Sequence, residues 1–462
     1  MRQVNGGAAT HAGASPAVLR LPEPPGPRRG VPLRALAAFR RDPLAFLERV
    51  HREHGDVARW RFGPRRVYLL AHPELVREVL VTRHRNFIKS KALQRARVIL
   101  GEGLLTSEGE HHLRQRRLAQ PAFHRERIAA LGDTMVRYAT ETAERWRGGV
   151  EMDLPREMNH LALAIAGNTL FGADVQGEAD EIGHALTHAL QAFKRLTNPL
   201  APILDRLPLP STRRILRAGQ RLDETIYRMI AQRRASGEDR GDLLSMLLAA
   251  RDEEGDGGGM TDLQLRDEAL TIFLAGHETT ANALSWTWHL LALNPDTEAR
   301  LHAELATVLA GRAPTADDVP RLPYTRAVFA EAMRLYPPAW TIGREPLEPF
   351  EAGGYRIRAG SVVLVSPWLV HRDPRWWPQP ERFDPERWSP ERETEQPRFA
   401  YFPFGGGPRK CIGEGFAWTE GILVLATLAQ RWTLRHAPGA EVGREPLITL
   451  RPTGLRMIAT AR

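Results

Sequence analysis

A chain of 462 residues, 42% hydrophobic and 26% charged, has the balance of a folded globular protein with an extensive core, which excludes disorder and collagen-like repeats. The formal charge of +9 comes from 64 Lys and Arg against 55 Asp and Glu, and acidic residues are interspersed among the cations, so an acidic protein partner fits better than nucleic acid. The single cysteine, Cys411, excludes intrachain disulfides and multi-cysteine zinc or iron–sulfur sites.

Residues 1–20 mix Gly, Ala, Ser and His without an apolar core and read as a disordered N-terminus. Neither a signal peptide nor a membrane anchor is visible there, which predicts a soluble, cytoplasmic protein. The Pro-rich residues 21–27 predict a stiff extended segment laid over a surface, with the fold proper beginning near Val31 and a single domain spanning 21–462. Residues 57–62 and 66–70 alternate like strands around the Gly63-Pro64 turn. From 73 to 310 the pattern is helical, interrupted at Asn198-Pro199, at 207–210 and in the loop 253–259. Strand patterns return at 353–365, residues 378–388 predict an ordered Pro- and Trp-rich coil, and the chain after Ala437 predicts short strands. The fold class is mainly α with a small β region.

One predicted helix stands apart. Thr261-Asp262-Leu263-Gln264 has the capping-box pattern, and the helix it opens runs to about Leu293, where Asn294-Pro295 stops it. From Ala269 to Leu293 it is nearly apolar all round, so a membrane span must be weighed. His277, Glu278, two threonines and His289 at mid-length argue instead for a helix through the middle of a large core.

Around the cysteine the sequence reads Phe404-Gly405-Gly406-Gly407-Pro408-Arg409-Lys410-Cys411-Ile412-Gly413, followed by an apolar helical run. A glycine-rich turn thus delivers a cysteine to a helix N-terminus, where backbone N–H groups and the neighbouring Arg409 and Lys410 favour thiolate. As a sole protein ligand a thiolate suits haem iron better than zinc, which wants about four ligands. A nucleophilic cysteine, as in a cysteine hydrolase, would need a histidine base that no local pattern supplies.

Phe404-x-x-Gly407-x-Arg409-x-Cys411-x-Gly413 resembles the haem-binding signature of the cytochrome P450 family of haem-thiolate monooxygenases. The resemblance extends in order over nearly the whole chain and implies the cytochrome P450 fold around a buried haem b, with Cys411 as axial metal ligand and Phe404 packed beside its sulfur. Ala275-Gly276-His277-Glu278-Thr279-Thr280 is similar to the family's oxygen-activation motif. Gly276 leaves room for a diatomic ligand, Thr279 bonded to the Ala275 carbonyl opens the helix, and Glu278 with Thr279 relays protons through ordered water. Glu331-Ala332-Met333-Arg334 resembles the family's Glu-x-x-Arg, with Arg387 supplying the second arginine of a mostly buried structural network. The haem propionates imply cations and donors, which the resemblance assigns to His112, Arg116, Arg344 and Arg409.

Family position assigns substrate contacts to Val98 and Leu100, to Leu274, Ala275 and Thr279 of the central helix, to Ala339, Trp340, Thr341 and Ile342, and to Leu447 and Ile448. All are mainly apolar, which implies a lipophilic substrate such as a fatty acid, terpenoid, carotenoid or steroid. The implied reaction inserts one oxygen atom of O2 into a C–H bond. About 50 residues follow Cys411, too few for a nucleotide-binding domain, so electrons are expected from NAD(P)H through a separate ferredoxin or flavodoxin with its reductase, drawn to a basic face around Arg117, Arg409 and Lys410. A monomer is expected. The retained Glu278-Thr279 pair favours turnover with O2 over a peroxide-driven peroxygenase and over a haem-binding protein without turnover.

Overall fold

The computed structural model describes residues 20–27, 32–172, 210–393 and 395–462. Residues 1–19, expected to be disordered, and the helix breaks expected at 198–199 and 207–209 lie outside the described residues. The chain divides into two compact units, one of residues 1–90 with 343–366, the other of 91–342 with 367–462.

The smaller unit is built on a five-stranded sheet. Strand Val57–Phe62 runs antiparallel to Arg65–Leu70 through the Gly63-Pro64 turn, and Arg65–Leu70 pairs in parallel with Val362–Val365. Phe87–Lys89 joins the far edge against Ile342–Pro346, a short strand inside the stretch whose periodicity predicts only helix. Two helices, Pro32–Arg41 and Pro43–His54, accompany the sheet through an aromatic cluster in which Phe46 lies 5.4 Å from Trp60 and Phe39 lies 5.0 Å from Phe62. The Pro-rich opening segment lies along the first strand, where the Pro25 carbonyl accepts the Arg59 N–H at 2.8 Å.

The larger unit is helical. Its central helix, Asp262–Leu293, begins at a formed capping box: the Gln264 N–H donates to Thr261 Oγ1 at 3.3 Å, and the Thr261 N–H donates to Gln264 Oε1 at 2.9 Å. It ends at Asn294, before a proline that cannot continue the first turn's donors. Two apolar clusters flank it. Leu265, Leu270, Phe273 and Leu274 join one, with Leu100, Leu118 and Phe171. Ala281, Leu284, Trp288 and Leu291 join the other, with Met135, Phe329 and the helix Glu414–Arg431 that follows the cysteine. Between them, residues 275–280 of the helix belong to neither cluster. A three-stranded sheet, in the order Glu151–Asp153, Arg456–Ala461, Trp432–His436, and the hairpin of Gly443–Pro446 with Leu450–Thr453 complete the unit. No helix among the described residues is long and apolar enough to cross a membrane.

Candidate active site

Between its exposed ends, the central helix opens again at its middle. Ala275 is exposed and Gly276 and Thr279 are partly so, although residues 265–274 before them are buried. A Cβ built on Gly276 would meet nothing within 4 Å. Thr279 Oγ1 donates to the Ala275 carbonyl at 2.7 Å, so the hydroxyl is tied back across one turn beside this notch.

The cysteine loop is shaped by backbone bonds. The Cys411 N–H donates to the Phe404 carbonyl at 3.0 Å, and the Lys410 N–H to the Gly407 carbonyl at 3.0 Å. Gly405 and Gly407 hold φ of 72° and 68°, the left-handed region that favours glycine. Phe404 therefore braces the cysteine through its carbonyl, while its ring packs 5.9 Å from Trp418. Ile342 reaches the same loop, its Cδ1 3.6 Å from the position of a Cβ on Gly405.

Cys411 has open surface, yet the protein around it pushes its thiol up by burial, opposed by the Gly413 N–H and by Arg116 and Lys410. This differs from the local expectation of a thiolate. The cations named for that role are engaged elsewhere: Lys410 pairs with Glu414, and Arg409 with Glu108. A thiol in such surroundings releases its proton to solvent when a metal cation binds it, the cation supplying the missing charge.

Two cations nevertheless fit an anionic group beside the loop. Arg116, on the helix Gly109–Ala119, donates to the Lys410 carbonyl at 2.9 Å and has no carboxylate partner among the described residues; burial lowers its pKa. Arg409 keeps a buried Nη1 without a hydrogen-bond partner. His112 is buried one turn before Arg116. Arg344 belongs to the smaller unit, where it lies opposite Lys89 in the sheet and donates to the Gly343 carbonyl at 3.1 Å. The notch, the lone cysteine and the two guanidiniums are a donor set that fits a haem with its propionates.

Glu331, Arg334 and Arg387 come together in the interior. Arg334 meets Glu331 in a two-pronged pair at 2.9 and 2.8 Å, and Arg387 Nε lies 3.3 Å from the same carboxylate. Trp388 Nε1 and the Asp384 N–H donate to Glu331 at 3.0 Å each. Arg334 also donates to the carbonyls of His371 and Pro380 at 2.7 and 2.8 Å and to that of Arg382 at 3.1 Å. Sequence reasoning missed His371. Its Nε2 accepts the Phe402 N–H at 2.9 Å, which carries the network to the chain just ahead of the cysteine loop.

The remaining positions scatter. Val98 is 82% exposed, whereas Leu100 and Leu274 are buried in an apolar cluster. Trp340 is buried with its indole N–H on the Leu447 carbonyl at 2.9 Å, Ala339 and Thr341 are partly buried, and Ile448 is exposed. Glu278 is buried and engaged: Thr449 Oγ1 and Arg451 Nε both donate to its Oε1. Glu420, on the helix after the cysteine, was also missed; it is fully buried, facing Thr280, and burial pushes its carboxyl up to about 8. The signal for it was one acid within an apolar run.

A helical unit with a single cysteine on a glycine-shaped loop and a notched central helix points to the class of haem-thiolate proteins. The chain belongs to the cytochrome P450 family, whose signature it matches over residues 24–456. It is 46% identical to cyclooctatin synthase of Streptomyces melanosporofaciens over 94% of this chain and 95% of that one. It is 43% identical to cyclooctat-9-en-7-ol 5-monooxygenase of the same organism, over 88% of each, and 39% identical to pentalenene oxygenase of Streptomyces avermitilis, over 91% and 94%. Its fold superposes on the heme domain of cytochrome P450DA with a TM-score of 0.87 at 27% identity, covering 96% of this chain and 98% of that one. The protein is a cytochrome P450 monooxygenase.

Proposed function

We propose that this monooxygenase inserts one oxygen atom of O2 into a terpenoid-type substrate, in the cytoplasm, as a monomer supplied with electrons from NAD(P)H by a separate ferredoxin or flavodoxin and its reductase. The observation that carries the substrate class is the near full-length likeness to an oxygenase of pentalenene and a monooxygenase of cyclooctat-9-en-7-ol. The apolar character of Ile342, Leu447 and Ile448 supports a hydrocarbon ligand.

When bound, the haem supplies the thiolate-ligated iron that activates O2. Cys411 would hold its iron, and Arg116, Arg409 and His112 would receive its propionates. The open Ala275–Gly276 surface would leave room for a small ligand of that group. Thr279 keeps a hydroxyl at that notch, and Glu278 is the acid on the neighbouring face that supplies protons to it. Glu331, Arg334 and Arg387 lock the coil that leads into the cysteine loop. The reduced carbon monoxide adduct should show the strongly red-shifted Soret band of thiolate ligation, and terpenoids should shift the Soret band of the resting protein more strongly than fatty acids, carotenoids or steroids. A colourless purified protein, or shifts with fatty acids alone, would refute this reading.

A further inference from the structure

The central helix presents two ladders. Ala275 and Thr279, one turn apart, share the open notch. Glu278, Asn282 and Trp286, spaced by four residues, share another face about 100° away. That second face is bonded rung by rung to a single stretch of the C-terminal hairpin. Trp286 Nε1 donates to the Leu450 carbonyl at 3.0 Å, Asn282 Nδ2 donates to Thr449 Oγ1 at 3.1 Å, and Thr449 Oγ1 donates to Glu278 Oε1 at 2.5 Å. Arg451 closes the series, its Nε donating to the same oxygen at 2.5 Å. Leu450 is itself tied down, its N–H on the Pro338 carbonyl at 2.9 Å. Glu278 and Thr449 are buried, whereas the Arg451 side chain is 28% exposed.

Resting on the proposed reading that Glu278 supplies protons, we infer that Arg451 and Thr449 are positioning residues that hold the Glu278 side chain turned toward the hairpin and away from the notch. An oxygen that accepts both a hydroxyl and a guanidinium N–H is committed to that side. Glu278 serves the Thr279 face only when those bonds open, so the Arg451 pair governs how readily the proton step proceeds. Arg451 is the member of the set that reaches solvent, and its departure opens a path from outside to a buried acid. The acid and the hairpin carrying Ile448 are thereby one mechanical unit.

The test uses the haem-loaded enzyme with its redox partners and compares Arg451→Gln, Arg451→Lys, Thr449→Val and Glu278→Gln with the parent. Arg451→Gln should lose most of the solvent deuterium isotope effect on turnover, because Glu278 is released, while the substrate-induced Soret shift is unchanged; Arg451→Lys should restore the effect. Thr449→Val should move it in the same direction as Arg451→Gln and by less, which keeps the inference testable if Arg451→Gln folds poorly. In thermal unfolding, Arg451→Gln should lower Tm in the parent and leave it nearly unmoved in the Glu278→Gln background. Additive Tm losses, or an unchanged isotope effect in Arg451→Gln and Thr449→Val while Glu278→Gln alters it, would overturn the positioning role and leave the proton-supply reading standing. Unaltered coupling and isotope effect in Glu278→Gln would remove that reading and this inference with it.

Discussion

Thr279 and Glu420 sit on facing helices, and their hydroxyl and carboxyl make opposite predictions about chemistry and stability. The Thr279 hydroxyl is tied to Ala275 at the open notch, so on the proposed reading removing it takes away a proton carrier while leaving the apolar packing in place. Thr279→Ala should therefore bind haem and substrate normally while diverting reducing equivalents to hydrogen peroxide. Product and peroxide measured per nicotinamide consumed check this; full product yield would contradict it. Glu420 is fully buried with Thr280 set against it, and burial raises its carboxyl from 4.5 to about 8. The folded state then binds this proton more tightly than the unfolded chain does. Stability from this group is complete below pH ~4.5 and declines as pH rises toward ~8. Glu420→Gln, neutral at every pH, should flatten that decline in denaturant titrations between pH 5 and 8. A parent protein with no such slope would show that Glu420 is ionised when folded.

At the scale of elements, the network around Glu331 connects the helix Pro323–Leu335 to the coil that runs into the cysteine loop. Its charges are buried and mutually satisfied, so removing one partner strands the others: Glu331→Gln should cost ~3–5 kcal/mol in chemical unfolding. Because His371 passes the constraint to Phe402, and the Phe404 carbonyl holds the Cys411 N–H, the same variant should also lose part of the red-shifted carbon monoxide band. His371 adds a pH dependence. Its pKa lies well below 6.5 because burial and the neighbouring arginines disfavour its cation. The unfolded chain binds that proton first, so stability is whole above pH ~6.5 and falls as pH drops below it. His371→Gln should remove that slope from an unfolding series between pH 6.5 and 5.

Over the whole molecule, the net charge of +9 is spread rather than concentrated where the local sequence suggests. Arg117 is bonded to Asp252, Lys410 to Glu414 and Arg409 to Glu108, so the basic stretch beside the cysteine is largely neutralised by its own neighbours. Attraction of an acidic ferredoxin should then follow the total charge. Reduction rates should fall as ionic strength rises and the Debye length shrinks below ~10 Å. Lys410→Gln should change them little, because Glu414 already offsets that charge; a large loss in stopped-flow reduction would mean that Lys410 meets the donor directly.

What the sequence by itself determined was whatever depends on neighbours in the chain. The Gly63-Pro64 turn, the capping box at Thr261, the stop at Asn294-Pro295 and the glycine-rich loop around Cys411 are all local, because turn and cap chemistry is settled within a few residues. The helical period likewise placed Ala275 and Thr279 on one face and Glu331 beside Arg334. The tertiary structure decided the rest. Arg451 lies 173 residues from Glu278, and Glu108 lies 301 from Arg409; no periodicity encodes which distant side chain will meet a given charge. The two short strands Phe87–Lys89 and Glu151–Asp153 form only because an edge was waiting for them. Burial acts in the same way on single groups, raising the Cys411 thiol and the Glu420 carboxyl, since the cost of a charge depends on everything that has packed around it.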